Sequence, residues 1–254
     1  MPLCLKSIAN QRNSLLEVLV VDNCSVDETK HIAKEYGAKL ITHRGTQSDA
    51  RNVGMAYAKG DFILFLDSDQ QLESGLIEDC FSTCLKKGVE AVKIPEVYVG
   101  LDFWGSCSAL WKNRMVEAWG LNGGIPRFYK RDVLKCSTFK ENMRFWEDVE
   151  FYQRLRKLGV KEAWCKRHII HFEVGSLRSV ISKYVSYGRS IAEFRRSHLK
   201  APYALTLRLT ISTLIRVIRN PGKVLSVFLG CLFLVAIKGL SLTLGFSSQL
   251  WGLS

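Results

Sequence analysis

The chain has 254 residues, 47% of them hydrophobic, enough for a packed core and outside the range of a disordered composition. Lys and Arg number 36 against 24 Asp and Glu, a net charge of +12, and the excess is local: Arg178, Lys183, Arg189, Arg195, Arg196, Lys200, Arg208, Arg216, Arg219 and Lys223 face one acid, Glu193, over residues 178–223. A basic tail without a recognition motif excludes an ordinary nucleic-acid-binding domain and points to an anionic surface or a phosphate-bearing ligand. In chain order, "MPLCLKSIANQRN" lacks the basic start and apolar core of a cleavable signal, so any membrane attachment is expected from elsewhere in the chain. "EVLVVDN" is a β-branched apolar run, read as a buried parallel strand. Ser25 and Glu28 stand at capping-box spacing and predict a helix through to Gly37. "AKLITH" reads as a strand, "QSDARNVGMAYAKG" as a helix closed by Gly60, and "DFILFLD" as a third strand. This β-α-β-α-β order predicts an α/β fold, a Rossmann-like, mostly parallel sheet flanked by helices, with ligands beyond the carboxyl ends of the strands.

Further on, residues 75–87 read as a helix, "VEAVKIPEVYVG" as extended and residues 105–119 as a helix; "GGIPRFYKRDVL" supplies a turn, a strand and a helix start. Residues 147–159 form an amphipathic helix ended by Gly159, with Val149, Phe151, Tyr152, Leu155 and Leu158 on its buried face. "EAWCKRHIIHFE" reads as a strand, in which His168 and His171 would face opposite sides, against a zinc pair. The eight cysteines lack zinc spacing; Cys80 and Cys84 fall four apart on a helix, as packed, reduced thiols would.

Asp22 and the pair Asp67 and Asp69 stand at strand ends, where a ligand is expected. An acid, one residue and a second acid is a common pattern that can be a solvated loop, a helix cap or a cation site. Oxygen donors suit Mg²⁺ or Mn²⁺, which few carboxylates hold while substrate phosphates complete the sphere, and that favours a nucleotide-diphosphate substrate.

Three stretches in order, "VVDNCSVDET", "DARNVGMAYAKGDFILFLDSDQQL" and "FKENMRFWEDVEFYQRLRKLG", together resemble the family 2 glycosyltransferases of the GT-A fold over about residues 1–190. The resemblance implies that Asp22 contacts the nucleotide base, that Arg51 lies near base and phosphates, and that Asp67 lies near ribose and metal. It also implies Asp69 as metal ligand, His171 beside metal and diphosphate, and Asp148 as the base that deprotonates the acceptor hydroxyl. For each a plainer role stands beside this one: Asp148 as a first-turn helix acid with Glu147 as its neighbour, Arg51 as a surface arginine, His171 as a core histidine. Trp104, Trp111 and Trp119 either line an acceptor groove or serve as core aromatics. The family usually has a further strand before the helix in which "MPLCLKSIANQ" falls, and the expectation is either a start placed too late or a product that is defective or needs a complementing segment, since loss of that strand would open a gap in the sheet. "DSDQQLESG" lacks the His-Pro-Pro continuation of dolichyl-phosphate sugar synthases, so that activity is not assigned.

Val224 to Ile237 carry no charge, and a helix over residues 224–246 would extend about 34 Å, enough to cross a hydrocarbon core. Lys238 is off-centre and can snorkel, and Arg216, Arg219 and Lys223 before the run place the preceding domain on the cytoplasmic side. The arginine-bearing segments before it read as interfacial helices on anionic lipid, or as a basic cap on a soluble core. The expected organisation is a GT-A-like domain over residues 1–176, basic amphipathic helices over 177–222, and a transmembrane or in-plane segment over 223–254. The expected activity is an inverting, metal-dependent transfer of sugar from a UDP- or GDP-linked donor to a lipid-linked or glycan acceptor at the cytoplasmic membrane face, with no nucleic acid involved. The alternative is a catalytically silent membrane-associated subunit.

Overall fold

The computed structural model describes residues 1–11, 16–120, 124–141, 143, 147–196, 203–222 and 224–250. The elements run α1 (Pro2–Ala9), β1 (Leu19–Asp22), α2 (Thr29–Glu35), β2 (Lys39–Thr42), α3 (Gln47–Tyr57), β3 (Phe62–Leu64), β4 (Gln70–Leu72), α4 (Leu76–Lys87) and β5 (Ala91–Lys93). There follow β6 (Glu96–Gly100), α5 (Phe103–Trp119), β7 (Phe128–Lys130), α6 (Arg131–Leu134), α7 (Glu147–Lys157), β8 (Glu162–Trp164) and β9 (Ile169–Glu173), then α8 (Leu177–Arg196), α9 (Tyr203–Arg219) and α10 (Leu225–Leu250). They fall into two units, Met1–Glu96 with Gly124–Ile170, and Val97–Gly123 with His171–Ser254.

In the first unit β1 and β2 pair in parallel, with Asp22 opposite Thr42 at the carboxyl ends. A separate ladder runs β3-β7-β5-β8. Within it β7 is antiparallel to both β3 and β5, and β5 is parallel to β8. Both faces of this ladder are buried, as alternation along a strand requires when helices cover each side. Ala91 and Tyr129 point into a core with Phe139, Phe151 and Leu155 of α7. Their neighbours Val92 and Phe128 point the other way, into a core with Leu76, Cys80 and Cys84 of α4. The expected α/β sheet flanked by helices is present, with one strand reversed between its parallel members.

Three local expectations need correction. Helix α2 starts at Thr29, not at Ser25, because the Ser25 N–H is taken by the Asp22 carboxylate and the Thr29 N–H by Asp27. Helix α7 ends at Lys157, so Leu158 falls past it and is exposed, while Glu150 on the helix is buried, its carboxylate held by Arg154 and Lys140. The third strand stops at Leu64 and not at Asp67, although the Phe65 N–H still reaches the Arg127 carbonyl at 2.9 Å.

In the second unit α5 packs against α9 and α10, and α10 against α8. Cys107, Val217, Cys231 and Leu234 form its core, with Trp104 and Trp111 packed against them, so these two tryptophans serve as core aromatics. The side chain of Trp119 lies outside the described residues. Helices α8 and α10 approach closely enough to require glycine: a Cβ on Gly245 would sit 2.0 Å from the Val185 carbonyl oxygen, and one on Gly188 2.2 Å from that of Leu242.

Candidate active site

Asp22 ends β1 with its side chain almost fully buried. Both carboxylate oxygens accept the Ser25 N–H, at 3.1 and 3.3 Å, and Lys30 Nζ stands 4.0 Å away. Asn23 next to it exchanges two hydrogen bonds with the backbone of Gly45, tying the loop after β1 to the loop after β2. The first strand end thus presents an acid whose orientation is set by its own loop.

Asp67 and Asp69 lie on a tight turn rather than on one strand face. The Gln70 N–H donates to the Asp67 carbonyl at 3.1 Å, and the fully buried Gln70 side chain accepts the Asp67 N–H at 3.0 Å. This turn aims the Asp67 carboxylate at two guanidinium groups. Its Oδ1 lies 3.5 Å from Arg51 Nη2 and accepts from Gln47 Nε2 at 3.2 Å; its Oδ2 accepts from Arg127 Nη1 at 3.2 Å. Asp69, two residues on, is exposed.

Arg51 projects from α3, whose start is fixed by a capping box between Thr46 and Asp49. Its other nitrogen, Nη1, donates to Glu147 Oε1 at 2.9 Å, and its guanidinium lies over the Phe139 ring at 5.4 Å. Arg127 Nε in turn donates to Glu96 Oε1 at 2.5 Å. The result is an alternating row of charges, Glu147, Arg51, Asp67, Arg127 and Glu96, closed on both sides of Asp67. Asp148 begins α7 beside this row, half-buried, its Oδ1 accepting its neighbour Val149's N–H at 2.8 Å. Burial pushes the Glu147 carboxyl above the ordinary glutamate range, the Asp148 charge adds to the rise, and Arg51 opposes it.

The structure therefore brings together Arg51, Asp67 and the Glu147–Asp148 pair, with Asp69 on the adjoining turn. Asp22 stands in its own loop. His171 belongs to the second unit, stacked on Tyr98 with ring centroids 5.0 Å apart and its Nε2 4.0 Å from Glu173 Oε1. Sequence reasoning missed Arg127, Glu96, Gln47 and the clamp made by α3: Ser48 Oγ donates to the Met143 carbonyl, and Asn52 exchanges two hydrogen bonds with the Phe139 backbone at 2.8 and 2.9 Å. The signal for Arg127 was its place just before a strand, which carries no chemistry until that strand pairs.

The donors present fit a cation completed by substrate, not one enclosed by protein. Among the described residues no group of three or more His, Cys, Asp or Glu side chains is disposed to hold a metal, and both Asp67 oxygens already face cations or amides. Asp69, exposed on the same turn, is an oxygen donor of the kind such a cation takes together with phosphate oxygens.

A family model described as Glycosyl transferase family 2 matches residues 1–146. The chain is 37% identical over 164 residues to the poly(ribitol-phosphate) beta-N-acetylglucosaminyltransferase TarS of Staphylococcus aureus (strain Mu50 / ATCC 700699), covering 58% of this chain and 28% of that protein. It thus spans little more than a quarter of that relative's length. The crystal structure of S. aureus TarS 1-349 in complex with UDP-GlcNAc is similar over 98% of this chain and 87% of that one, with a TM-score of 0.54 at 19% identity. Glucosyl-3-phosphoglycerate synthase from Mycobacterium tuberculosis, in complex with Mn²⁺ and UDP-glucose, gives a TM-score of 0.51 at 16% identity, over 76% of this chain and 74% of that one. At these identities the likeness speaks for the fold, and that fold is the GT-A fold expected from the three motifs.

Proposed function

The chain belongs to glycosyl transferase family 2, and from that premise we propose that it is an inverting, metal-dependent glycosyltransferase that moves a sugar from a nucleotide-diphosphate sugar to a glycan or lipid-linked acceptor at the cytoplasmic face of a membrane. The carrying observation is the row of charges around Asp67, in which two arginines and three carboxylates lie at the carboxyl end of β3. UDP is the favoured nucleotide, since both similar crystal structures hold UDP-sugars. A phosphate-rich polymer is one acceptor class, by the name of the related TarS.

In this reading Asp148 takes the proton of the acceptor hydroxyl as its oxygen attacks the anomeric carbon. Glu147 is unsuited to that role because Arg51 holds it. Arg51, shared between Glu147 and Asp67, fixes the base region relative to the donor region and offers positive charge to the phosphates. Asp22 receives the nucleotide base, Asp67 the ribose, and His171 the diphosphate side. A divalent cation, Mg²⁺ or Mn²⁺, held by Asp69 and the donor's phosphate oxygens would neutralise charge on the departing nucleotide.

Membrane attachment is supported by the orientation of α10. Leu225–Ser247 is long and apolar enough to cross a bilayer, with mean hydropathy 2.2. Its outward face, with Leu225, Leu229, Phe233, Leu240 and Leu244 exposed, carries no charge, while Lys238 is turned inward, its Nζ 3.3 Å from Ser108 Oγ on α5. A core helix of a water-soluble protein has the opposite arrangement.

The test is calorimetric titration of the detergent-purified chain with UDP and GDP, with and without Mn²⁺, followed by a transfer assay. Asp148→Asn is expected to retain metal-dependent UDP binding and to lose about 10²-fold or more in transfer, as loss of a general base does. Full transfer by that variant overturns the base assignment; absence of nucleotide binding by a folded chain favours the silent subunit.

A further inference from the structure

Along α9 runs an open groove of about 450 Å³, lined by Arg208, Arg216 and Arg219, by Ile211 and Ile215, and by Ser212 and Asn220. Among the described residues the one acid that lines it, Glu117 on α5, is already paired with Arg114, whose Nε also donates to the Asn220 carbonyl at 3.2 Å. Residues 208, 212, 216 and 219 recur at i, i+4, i+8 and i+11, so the arginines form a single column on the helix. A second column lies beside it: Ile211, Ile215 and Ile218 are 50%, 43% and 57% exposed. The opposite face of α9 is the one folding uses, since Thr213 and Val217 are fully buried.

Folding accounts for neither outward column. Three isoleucines left in water beside three arginines facing a groove call for a ligand with an anionic head and an apolar body. We infer that the α9 groove binds the phosphodiester headgroups of anionic phospholipids, Arg208 at one end and Arg216 with Arg219 at the other holding phosphates while Ile211, Ile215 and Ile218 enter the acyl boundary. This rests on the reading that the helical unit attaches to a membrane. A soluble phosphate polymer would satisfy the arginines but leave the isoleucine column wet, so the lipid is the better match. Guanidinium forks suit the task, since each can give a phosphate two parallel N–H donors where a lysine gives a point charge.

The experiment is vesicle co-flotation of the full chain, comparing phosphatidylcholine vesicles with vesicles that also contain phosphatidylglycerol. The wild type is expected to prefer the anionic vesicles. An Arg208→Gln, Arg216→Gln, Arg219→Gln variant is expected to lose that preference by about fivefold per arginine, roughly 10²-fold in all, while still binding neutral vesicles through α10. The corresponding triple lysine variant should recover only part of the loss; it also reports on folding if the glutamine variant melts early. Unchanged anionic preference in the glutamine variant overturns the groove and leaves the membrane reading standing. Failure of the wild type to bind any vesicle overturns the membrane reading itself. Arginine-dependent binding of soluble poly(glycerol phosphate), with no preference among vesicles, overturns the lipid assignment in favour of a polymer phosphate.

Discussion

At the scale of single residues, Glu147 is where charge and burial conflict most. Its carboxyl is nearly buried, faces Arg51 at 2.9 Å and adjoins Asp148, and the net effect raises its pKa above the ordinary glutamate value. A carboxyl with a raised folded pKa binds its proton more tightly in the native state. Its contribution to stability is full below the unfolded pKa and is lost as pH rises through the folded value. Glu147→Gln should therefore flatten the decline in urea-unfolding free energy between mildly acidic and neutral pH; a slope equal to that of wild type would show that Glu147 does not titrate there. Arg127 allows a second prediction. Arg127→Gln removes the Arg127–Glu96 ion pair and leaves Asp67 with one guanidinium, at a cost of about 1.5–3 kcal/mol in chemical denaturation and with weaker UDP binding. Asp67 and Arg51 were legible in the sequence because each sits in a short motif. Arg127 was not, because it reaches Asp67 across 60 residues of chain only when β7 pairs antiparallel to β3.

At the scale of elements, α3 does more than its capping box announces. In sequence, "QSDARNVGMAYAKG" reads as a helix closed by Gly60, whereas α3 ends at Tyr57, and nothing in that stretch announced that its polar face clamps the segment leading to α7. Asn52 satisfies both the N–H and the carbonyl of Phe139, and Ser48 holds Met143, so the approach to Glu147 and Asp148 is fastened to the helix that carries Arg51. Asn52→Ala should cost about 1–3 kcal/mol by leaving those backbone groups unpaired, and should lower kcat more than donor affinity if Asp148 is the base proposed above, since that residue would shift and the nucleotide loops would not. Equal loss in both would place the clamp's effect in global folding. The start of α2 was misread for a related reason: Asp22 captures the Ser25 N–H, a competition between side chain and backbone that spacing alone cannot rank. In the helical unit the close approach of α8 and α10 rests on Gly188 and Gly245. Gly245→Ala puts a methyl group into the Val185 carbonyl and should lower the melting temperature of the chain more than alanine's helix preference raises it.

At the scale of the whole molecule, hydropathy identified α10 but could not orient it, because an uncharged run reads the same from every side. The packing orients it. Gly230, Cys231, Leu234, Lys238, Ser241 and Gly245 are buried, a face made mostly of small and polar residues, while Leu225, Leu229, Phe233, Leu240 and Leu244 point away. If that outward face meets lipid, charge placed on it must be costly in the membrane and nearly harmless to the fold; the inward face must behave in the reverse way. Leu229→Asp with Phe233→Asp should release the chain from membranes, since each acid costs about 2.5–3.5 kcal/mol at the centre of a span and less nearer the interface, while nucleotide binding stays intact. Lys238→Met removes a buried amine from Ser108 and should leave membrane retention unchanged, with stability equal or higher because a well-packed apolar side chain replaces a desolvated charge. Fractionation and thermal melting of both variants read the two faces separately. Retention of the double aspartate variant on washed membranes would mean that the outward face of α10 meets protein rather than lipid.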